Sequence, residues 1–346
     1  MKKFIFLSLL LVILLISIPI VTIFSSEDFS VKKDVEIAKG YKSKDISKSL
    51  EKVKNQEFTI YDVDKKTNKK INDYDFTKYV LAKEMPIDYE IEALKAQAIA
   101  TYTYYSLKRE KKEQIKYNSK SNSLFYSENK LKEKWGSAYN SNNKKLEKVL
   151  NEVFPEVIKY KGELIESVSF EYCAGVTENG QYIYNENKPY LKSVSSPYDQ
   201  FSEENIKVYK FSEDEVKEKL KSKYSDIKFN SNYQEWFKDI EYSESGNVIN
   251  LKVGDKKLSG KEVAKIFKLK SSDFDILYSF EEFIFNVKGK GDFVGMSKYG
   301  ANKMAKQGSC YKEILKHYYS GVEIVVWKYI KNNTNKNYYF KGVFEM

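Results

Sequence analysis

Two predicted helices separated by a proline, between residues 79 and 109, constrain the fold of this chain more than any other stretch. Phe76, Val80 and Glu84 follow one another at intervals of four residues. This spacing predicts a helix with the acid on its buried face. Pro86 disfavours helical backbone at the residue before it, so we expect Glu84 to lie in the last helical turn.

Glu84 is the side chain of this stretch that best suits acid–base chemistry. Apolar surroundings desolvate a carboxylate, and the partial negative charge at a helix C-terminus repels it, so both features disfavour the anion. A carboxyl group that stays protonated near neutral pH is what a general acid requires. The alternative interpretation is an ordinary half-buried helical acid that is paired with a neighbouring group.

The helix after Pro86 carries two different faces. Its apolar residues form one stripe, whereas Gln97, Thr101 and Tyr104 line another. We expect this helix to form the wall behind Glu84.

The rest of the chain mixes separated strands and helices, which favours an α+β fold. Alternating or apolar runs predict strands at residues 58–63, 164–170 and 190–195, and a hairpin from residues 240–242 and 248–253. Ser212 with Glu215, and Ser259 with Glu262, have the spacing of capping boxes at helix starts.

The chain is basic, with a formal charge of +10 over 346 residues, and Arg109 is its one arginine. Two explanations remain open. The abundance of Lys, Asn, Tyr, Ile and Ser is typical of an AT-rich genome, while positive charge also attracts anionic wall polymers and lipid head groups. No basic run has the interleaved aromatic residues that bind bases, so nucleic acid is not an expected partner.

One histidine and two cysteines exclude several chemistries. A zinc hydrolase of the HExxH type needs more histidines than the chain has. His317 lies in a helix-like stretch before Gly321, where a cationic ring favours the helix C-terminus, so a structural role is favoured over a catalytic triad. Cys173 and Cys310 are either a disulfide or, as we favour, two buried small residues.

Five motifs follow one another along the chain: EMP with EALKAQAIA (84–100), CAGVTENG (173–180), PYLKSV (189–194), LSGKEVAKIFKLKSSDF (258–274) and GKGDFVGMSKYGANKMAKQGSCYKEILKHYYSGVEI (289–324). This ordered set resembles the stage II sporulation protein D family of peptidoglycan lytic transglycosylases. The resemblance covers about residues 58–328. The resemblance implies two lobes around a substrate cleft.

The resemblance also implies a mechanism in which Glu84 is the single catalytic acid and base. The acid protonates the glycosidic oxygen, and the resulting carboxylate takes a proton from the muramic acid C6 hydroxyl, which closes a 1,6-anhydro ring. No cofactor is implied, and YNSKSNS (117–123) lacks the Cys and His zinc ligands of some relatives, so we expect no metal. Candidate substrate-binding residues are Gln97, Tyr102, Tyr172, Thr177, Asp292, Met296, Ser297 and Tyr299.

The chain departs from the family pattern at positions that the resemblance places in the cleft. Tyr102 replaces an Arg, Asp292 a His, Phe293 a Gly and Lys298 a Gln, and residues 173–175 replace SGG. Losing a guanidinium and an imidazole changes charge and hydrogen bonding in the cleft. Asp292 either substitutes for the His as a polar partner or, if it lies close, repels the charge of Glu84. The departures fit either an enzyme with altered substrate preference or a protein that only binds glycan.

The N-terminus predicts a membrane anchor. Residues 4–24 form an uninterrupted apolar run after two lysines, which is long enough to span a bilayer and leaves the N-terminus in the cytoplasm. A cleaved signal peptide is the alternative, but no small-x-small cleavage site precedes residue 25. The expected organisation is an anchor (1–26), a juxtamembrane spacer (27–57), a peptidoglycan-cleaving domain (58–330) and a polar tail (331–346).

By resemblance, the protein would trim peptidoglycan between mother cell and forespore during engulfment in a spore-forming Gram-positive bacterium. The implied substrate is peptide-stripped glycan, and the implied partners are a wall amidase and a small membrane scaffold. Two other roles stay open: a wall-binding or scaffold protein without catalysis, and a relative that acts on vegetative wall.

Overall fold

The computed structural model describes residues 56–184, 186–202 and 205–327. The predicted anchor, the predicted tail and almost all of the predicted spacer lie outside these residues. Among the helices in the described ranges, none has the length and apolar character needed to cross a membrane.

The described chain is α+β, as predicted. Its helices are α1 (Asp73–Glu84), α2 (Ile91–Glu110), α3 (Glu128–Trp135), α4 (Tyr139–Val153), α5 (Gln181–Tyr184), α6 (Glu213–Lys223), α7 (Gly260–Phe267), α8 (Lys298–Lys306) and α9 (Tyr311–Tyr318). Its strands are β1 (Glu57–Asp62), β2 (Thr67–Asn72), β3 (Ile115–Tyr117), β4 (Glu156–Tyr160), β5 (Glu163–Leu164), β6 (Ser169–Phe170), β7 (Ile206–Ser212), β8 (Phe237–Tyr242), β9 (Val248–Val253), β10 (Lys256–Ser259), β11 (Phe274–Ser279), β12 (Glu282–Lys288), β13 (Met296–Ser297) and β14 (Glu323–Val326).

Two hydrophobic cores organise these elements. The first core contains residues from both ends of the described chain, and α2 lies at its centre, packed against α1, α4, α8, α9 and β4. The buried residues of the second core lie within residues 216–287, and Tyr209 and Phe211 pack against them. The sheets β8–β9–β10 and β7–β12–β11 build it together with α6 and α7. The chain therefore leaves the first core near Asn205 and returns near Gly289, where a backbone hydrogen bond of 2.8 Å joins the two crossings.

Helix α1 ends at Glu84, as the proline rule predicts. Met85 is extended, with φ −124° and ψ 142°, as expected for a residue that precedes Pro86. At the other end of α1, the buried carboxylate of Asp73 accepts two hydrogen bonds, of 2.7 and 3.0 Å, from one guanidinium nitrogen of Arg109. This ion pair ties the start of α1 to the end of α2.

Local sequence signals predicted several other elements correctly. The strand at residues 58–63, the hairpin and both capping boxes are present. The predicted strand at 164–170 is instead two short strands, β5 and β6, and residues 190–195 form no strand beyond one isolated bridge at Ser195. Strand β5 pairs with the neighbouring β4, whereas β6 pairs with β13, which is distant in the sequence, so the local pattern of residues 164–170 did not determine their structure.

The two cysteines form no disulfide, and the histidine contacts the backbone of a neighbouring loop. Cys173 and Cys310 are both free, and only Cys173 is buried, so the expectation of two buried residues is wrong for Cys310. His317 lies in the last turn of α9, and its Nε2 is 2.8 Å from the carbonyl oxygen of Ser195.

Candidate active site

Glu84 lies at a cavity of about 220 Å³ between the end of α1 and the middle of α2. The predicted polar stripe of Gln97, Thr101 and Tyr104 forms one wall, and residues Ser167, Val168 and Ser169 complete the lining together with Val80 and Tyr105. The helix after Pro86 therefore forms the wall behind the acid, as expected.

The surroundings of Glu84 differ from the apolar pocket that the sequence predicted. Its side chain is 36 % exposed, and its Oε2 lies 2.6 Å from the Nζ of Lys298. The same Nζ donates to Oε1 of Glu171 at 3.0 Å. Glu84 is thus half-buried and paired, which was the alternative interpretation of its position.

Strand pairing brings Lys298 and Glu171 together. Strand β6 pairs in parallel with β13, and Glu171 and Lys298 directly follow the two strands. Ser297 caps α8 by accepting a hydrogen bond of 3.0 Å from the N–H of Gly300, so Lys298 begins that helix. The side chain of Lys298 is 5 % exposed.

Lys298 remains a cation despite its burial. Burial works to lower the pKa of Lys298, but the carboxylates of Glu84 and Glu171 outweigh it and raise that pKa above its usual value. A buried, hydrogen-bonded ammonium therefore stands between two carboxylates.

The amide of Gln97 is 4 % exposed and lines the same cavity as Glu84. Its Nε2 donates to the hydroxyls of Ser169 at 3.1 Å and Thr101 at 3.4 Å. Within the described ranges its buried carbonyl oxygen has no hydrogen-bond partner. Such an acceptor is costly to leave unpaired, so it suits a hydroxyl group of a ligand.

The phenol of Tyr105 gives the cavity a donor. Burial, followed by the charges of Tyr104 and Glu84, raises the pKa of Tyr105, so this hydroxyl stays protonated at neutral pH. It lines the cavity together with Glu84.

Asp292 lines a neighbouring cavity of about 490 Å³, which shares Val168 and Ser169 with the Glu84 cavity. Its carboxylate is exposed and lies 3.5 Å from the ammonium of Lys261. Lys298 and Glu171 line this second cavity too. The acid that shares a partner with Glu84 is therefore Glu171 rather than Asp292.

Three candidate substrate-binding residues are buried in the protein and line neither cavity. Tyr102 is 1 % exposed, packs in the core, and its hydroxyl lies 3.5 Å from Asp73. Thr177 accepts a hydrogen bond of 2.8 Å from the N–H of Val194, and Met296 belongs to the first core. These three side chains therefore lie inside the protein rather than at either cavity, and their contact with substrate stays a prediction.

The remaining candidates support the backbone around the site. Tyr172 exchanges backbone hydrogen bonds with Lys290, and Ser297 is fully buried as the cap of α8. Tyr299 donates its hydroxyl to the carbonyl oxygen of Phe201 at 3.0 Å. None of these three lines the Glu84 cavity or the Asp292 cavity.

Sequence reasoning did not select Lys298 or Glu171 as site residues. The signal for Lys298 was its charge: a lysine stands where the resembling family has a glutamine, inside the C-terminal motif. Glu171 had no comparable signal, because it lies just outside the motif that begins at Cys173.

The fold and the site define an α+β protein built around one lysine-paired acid at the end of a helix. A family model described as Stage II sporulation protein matches residues 63–160. Stage II sporulation protein D of Bacillus amyloliquefaciens is 34 % identical over 253 residues, which cover 71 % of this chain and 72 % of that protein. The same protein of Bacillus subtilis (strain 168) is 29 % identical over 292 residues, covering 82 % and 83 %.

An uncharacterised protein of Brachyspira hyodysenteriae is 27 % identical over 274 residues, covering 78 % of this chain and 69 % of that protein. The chain belongs to the stage II sporulation protein D family. It is a sporulation protein of a family associated with degradation of the cell wall during sporulation.

Proposed function

We propose that this protein is a peptidoglycan lytic transglycosylase that uses Glu84 as its single acid and base. The observation that carries the proposal is the position of Glu84 at a cavity whose other wall is the polar stripe of α2. That position meets the requirement for a proton donor within reach of a bound polar ligand.

The proposed reaction needs one carboxyl group and no water. Glu84 starts protonated and gives its proton to the glycosidic oxygen as the bond from that oxygen to C1 breaks. The C6 oxygen of the same muramic acid then bonds to C1, and Glu84 takes the C6 hydroxyl proton. One bond is broken, one is formed, and Glu84 ends in the protonation state in which it began.

The lining of the neighbouring cavity supports peptide-stripped glycan as the substrate. Removal of the stem peptide leaves a free lactyl carboxylate on muramic acid. The cavity beside Glu84 is lined by Lys270 and Lys290 as well as by Lys298, and lysine ammonium groups attract such a carboxylate. The carbonyl oxygen of Gln97, which has no hydrogen-bond partner among the described residues, suits a sugar hydroxyl.

We extend the proposal to the cellular location of the protein and to the proteins that work with it. Stripped strands require a wall amidase to act first, and family membership supports work during forespore engulfment beside a small membrane scaffold. The apolar run at residues 4–24 supports a single-pass anchor, with the catalytic domain in the space between mother cell and forespore.

A second candidate is a glycan-binding or scaffold protein that has lost catalysis. The ion pair with Lys298 favours it, because the ammonium lies 2.6 Å from Glu84 and occupies the oxygen that would have to hold the proton at the start of the reaction.

Mass spectrometry of the products of peptide-stripped glycan strands tests the proposal with the full-length protein in detergent. We expect 1,6-anhydromuramic ends from the wild type and at least about a hundredfold fewer from Glu84→Gln, the usual cost of losing a general acid. Glu166→Gln is a matched control, because Glu166 is also paired with a lysine, Lys188, but lines neither cavity.

Other products would change the conclusion. Reducing ends would mean hydrolysis, with Glu171 as the second carboxylate to test. Glycan that sediments with the wild type and with Glu84→Gln, but is cut by neither, would establish the binding protein.

A further inference from the structure

Lys298 has one more anionic partner than a single ion pair needs. Its Nζ lies 2.6 Å from Glu84 and 3.0 Å from Glu171, and its side chain is 5 % exposed. We call these three residues the carboxylate–lysine cluster. With both acids ionised the cluster carries a net charge of −1, and with Glu84 protonated it is neutral.

The second carboxylate has a physical reason if Glu84 changes its protonation state. A buried ammonium that loses its partner is strongly destabilised. If Glu84 were the sole partner of Lys298, protonating Glu84 would leave the ammonium unpaired, so the lysine would resist that step. Glu171 keeps the ammonium paired whether Glu84 is charged or neutral.

We propose that Lys298 and Glu171 are positioning residues that together set the pH range in which Glu84 holds the proton needed for glycan cleavage. Lys298 favours the carboxylate form of Glu84, and Glu171 counteracts Lys298 by sharing its charge. The inference rests on the proposed function, since it assigns these residues through Glu84 and not through contact with the glycan.

Other charged and titratable groups surround the cluster and belong to the same electrostatic balance. They come from the segment before α2, from α2 itself, from α5 and from the loops that line the Asp292 cavity: Tyr89, Tyr104, Tyr105, Tyr184, Lys270, Lys290 and Asp292. The carboxylates of Glu84 and Glu171 are the groups that hydrogen-bond Lys298 directly.

The expected effects of the two neighbours have opposite signs. The reaction needs protonated Glu84, so its rate falls as pH rises through the titration of that group. Removing the ammonium in Lys298→Gln moves this falling limb of the pH–rate profile to higher pH, because the ammonium 2.6 Å from Glu84 no longer opposes protonation. Glu171→Gln leaves Glu84 as the one carboxylate that hydrogen-bonds Lys298 directly, so it moves the falling limb of the pH–rate profile to lower pH.

The experiment measures the rate of anhydro-end formation by the full-length protein across pH for each variant. Lys298→Arg keeps the charge and should keep the limb near its wild-type position, whereas Lys298→Met, of similar length, should shift it as Gln does. Lys83→Gln is the matched control. It removes a positive charge from the residue next to Glu84, but the Lys83 ammonium binds the carbonyl oxygens of Asn122 and Ser123.

A second readout does not depend on activity. The carboxyl ¹³C signal of Glu84, identified by its loss in Glu84→Gln, should titrate at higher pH in Lys298→Gln and at lower pH in Glu171→Gln. If no variant forms anhydro ends but these midpoints move, the proposed function fails while the electrostatic coupling stands.

Three outcomes would overturn the inference itself. One is that neither the falling limb of the pH–rate profile nor the midpoint of the ¹³C titration moves in Lys298→Gln or Lys298→Met. Another is a shift in Lys298→Arg as large as that in Lys298→Gln, which would indicate packing rather than charge. The third is a loss of rate in Glu171→Gln that is equal at every pH, which would place Glu171 on the glycan.

Discussion

Replacing Asp273 by Asn should stabilise the protein at alkaline pH and leave it unchanged at acid pH. Asp273 directly precedes β11 and is 3 % exposed. A Cβ on Gly246 would lie 3.1 Å from its Oδ2, so the carboxyl group is packed against the turn between β8 and β9. Burial, partly opposed by Lys288, raises the pKa of Asp273 from 3.8 to about 7.

The magnitude follows from the difference between the folded and the unfolded pKa. A rise of roughly 3 units corresponds to about 4 kcal/mol of unfolding free energy. The folded state binds the proton more tightly than the unfolded state. Below about pH 4 Asp273 is protonated in both states, so its ionisation costs no folding stability there. Stability then falls as pH rises, and above about pH 7 the wild type carries the full destabilisation. The amide side chain introduced by Asp273→Asn cannot ionise, so the variant escapes this destabilisation.

Urea unfolding followed by tryptophan fluorescence measures the effect, because Trp236 lies in the same core as Phe274. The stability gained by Asp273→Asn should grow from near zero at about pH 4 to about 4 kcal/mol at about pH 8. Asp214→Asn is the control, since Asp214 lies in the first turn of α6 with a side chain that is 96 % exposed, and it should gain no such stability at about pH 8. A pH-independent difference for Asp273→Asn, or a loss of stability at pH 8, would refute the reasoning.

Two further substitutions test how distant segments are joined. One carboxylate oxygen of Glu178 accepts hydrogen bonds from Ser243, Ser245 and Asn247, so Glu178→Ala should lower the free energy of urea unfolding by about 3 kcal/mol. A loss of less than about 1 kcal/mol would contradict the argument. Gly295→Ala should cost about 3 kcal/mol and lower activity, because its Cβ would lie 2.1 Å from the carbonyl oxygen of Val168 at φ +83°. Gly308→Ala is the control: at φ +96° no described atom lies within 4 Å of the added Cβ, so only the backbone strain, about 1 kcal/mol, should be lost. Equal losses for the two glycines would mean that the contact with Val168 is harmless.

Local rules were enough for several helix ends, including the one that carries Glu84. The end of α1 depends on Pro86, and the starts of α6 and α7 depend on side chains that bond backbone three residues away. Each of these signals acts within one turn of helix, so it can be read from the sequence. The polar stripe that faces Glu84 follows from helical periodicity in the same way.

The charged partner of Glu84 was decided by tertiary structure alone. Lys298 is 214 residues from Glu84, and it reaches the acid because two strands of two residues each, β6 and β13, pair in parallel. Such short strands have no periodicity to detect. Helical spacing likewise places Tyr102 on a face of α2, but only the packing of α2 against Phe58 and Phe154 makes that face core. The sequence alone therefore determined the family, the helix and the acid, because these depend on neighbouring residues, whereas the charge paired with the acid comes from a contact between distant parts of the chain.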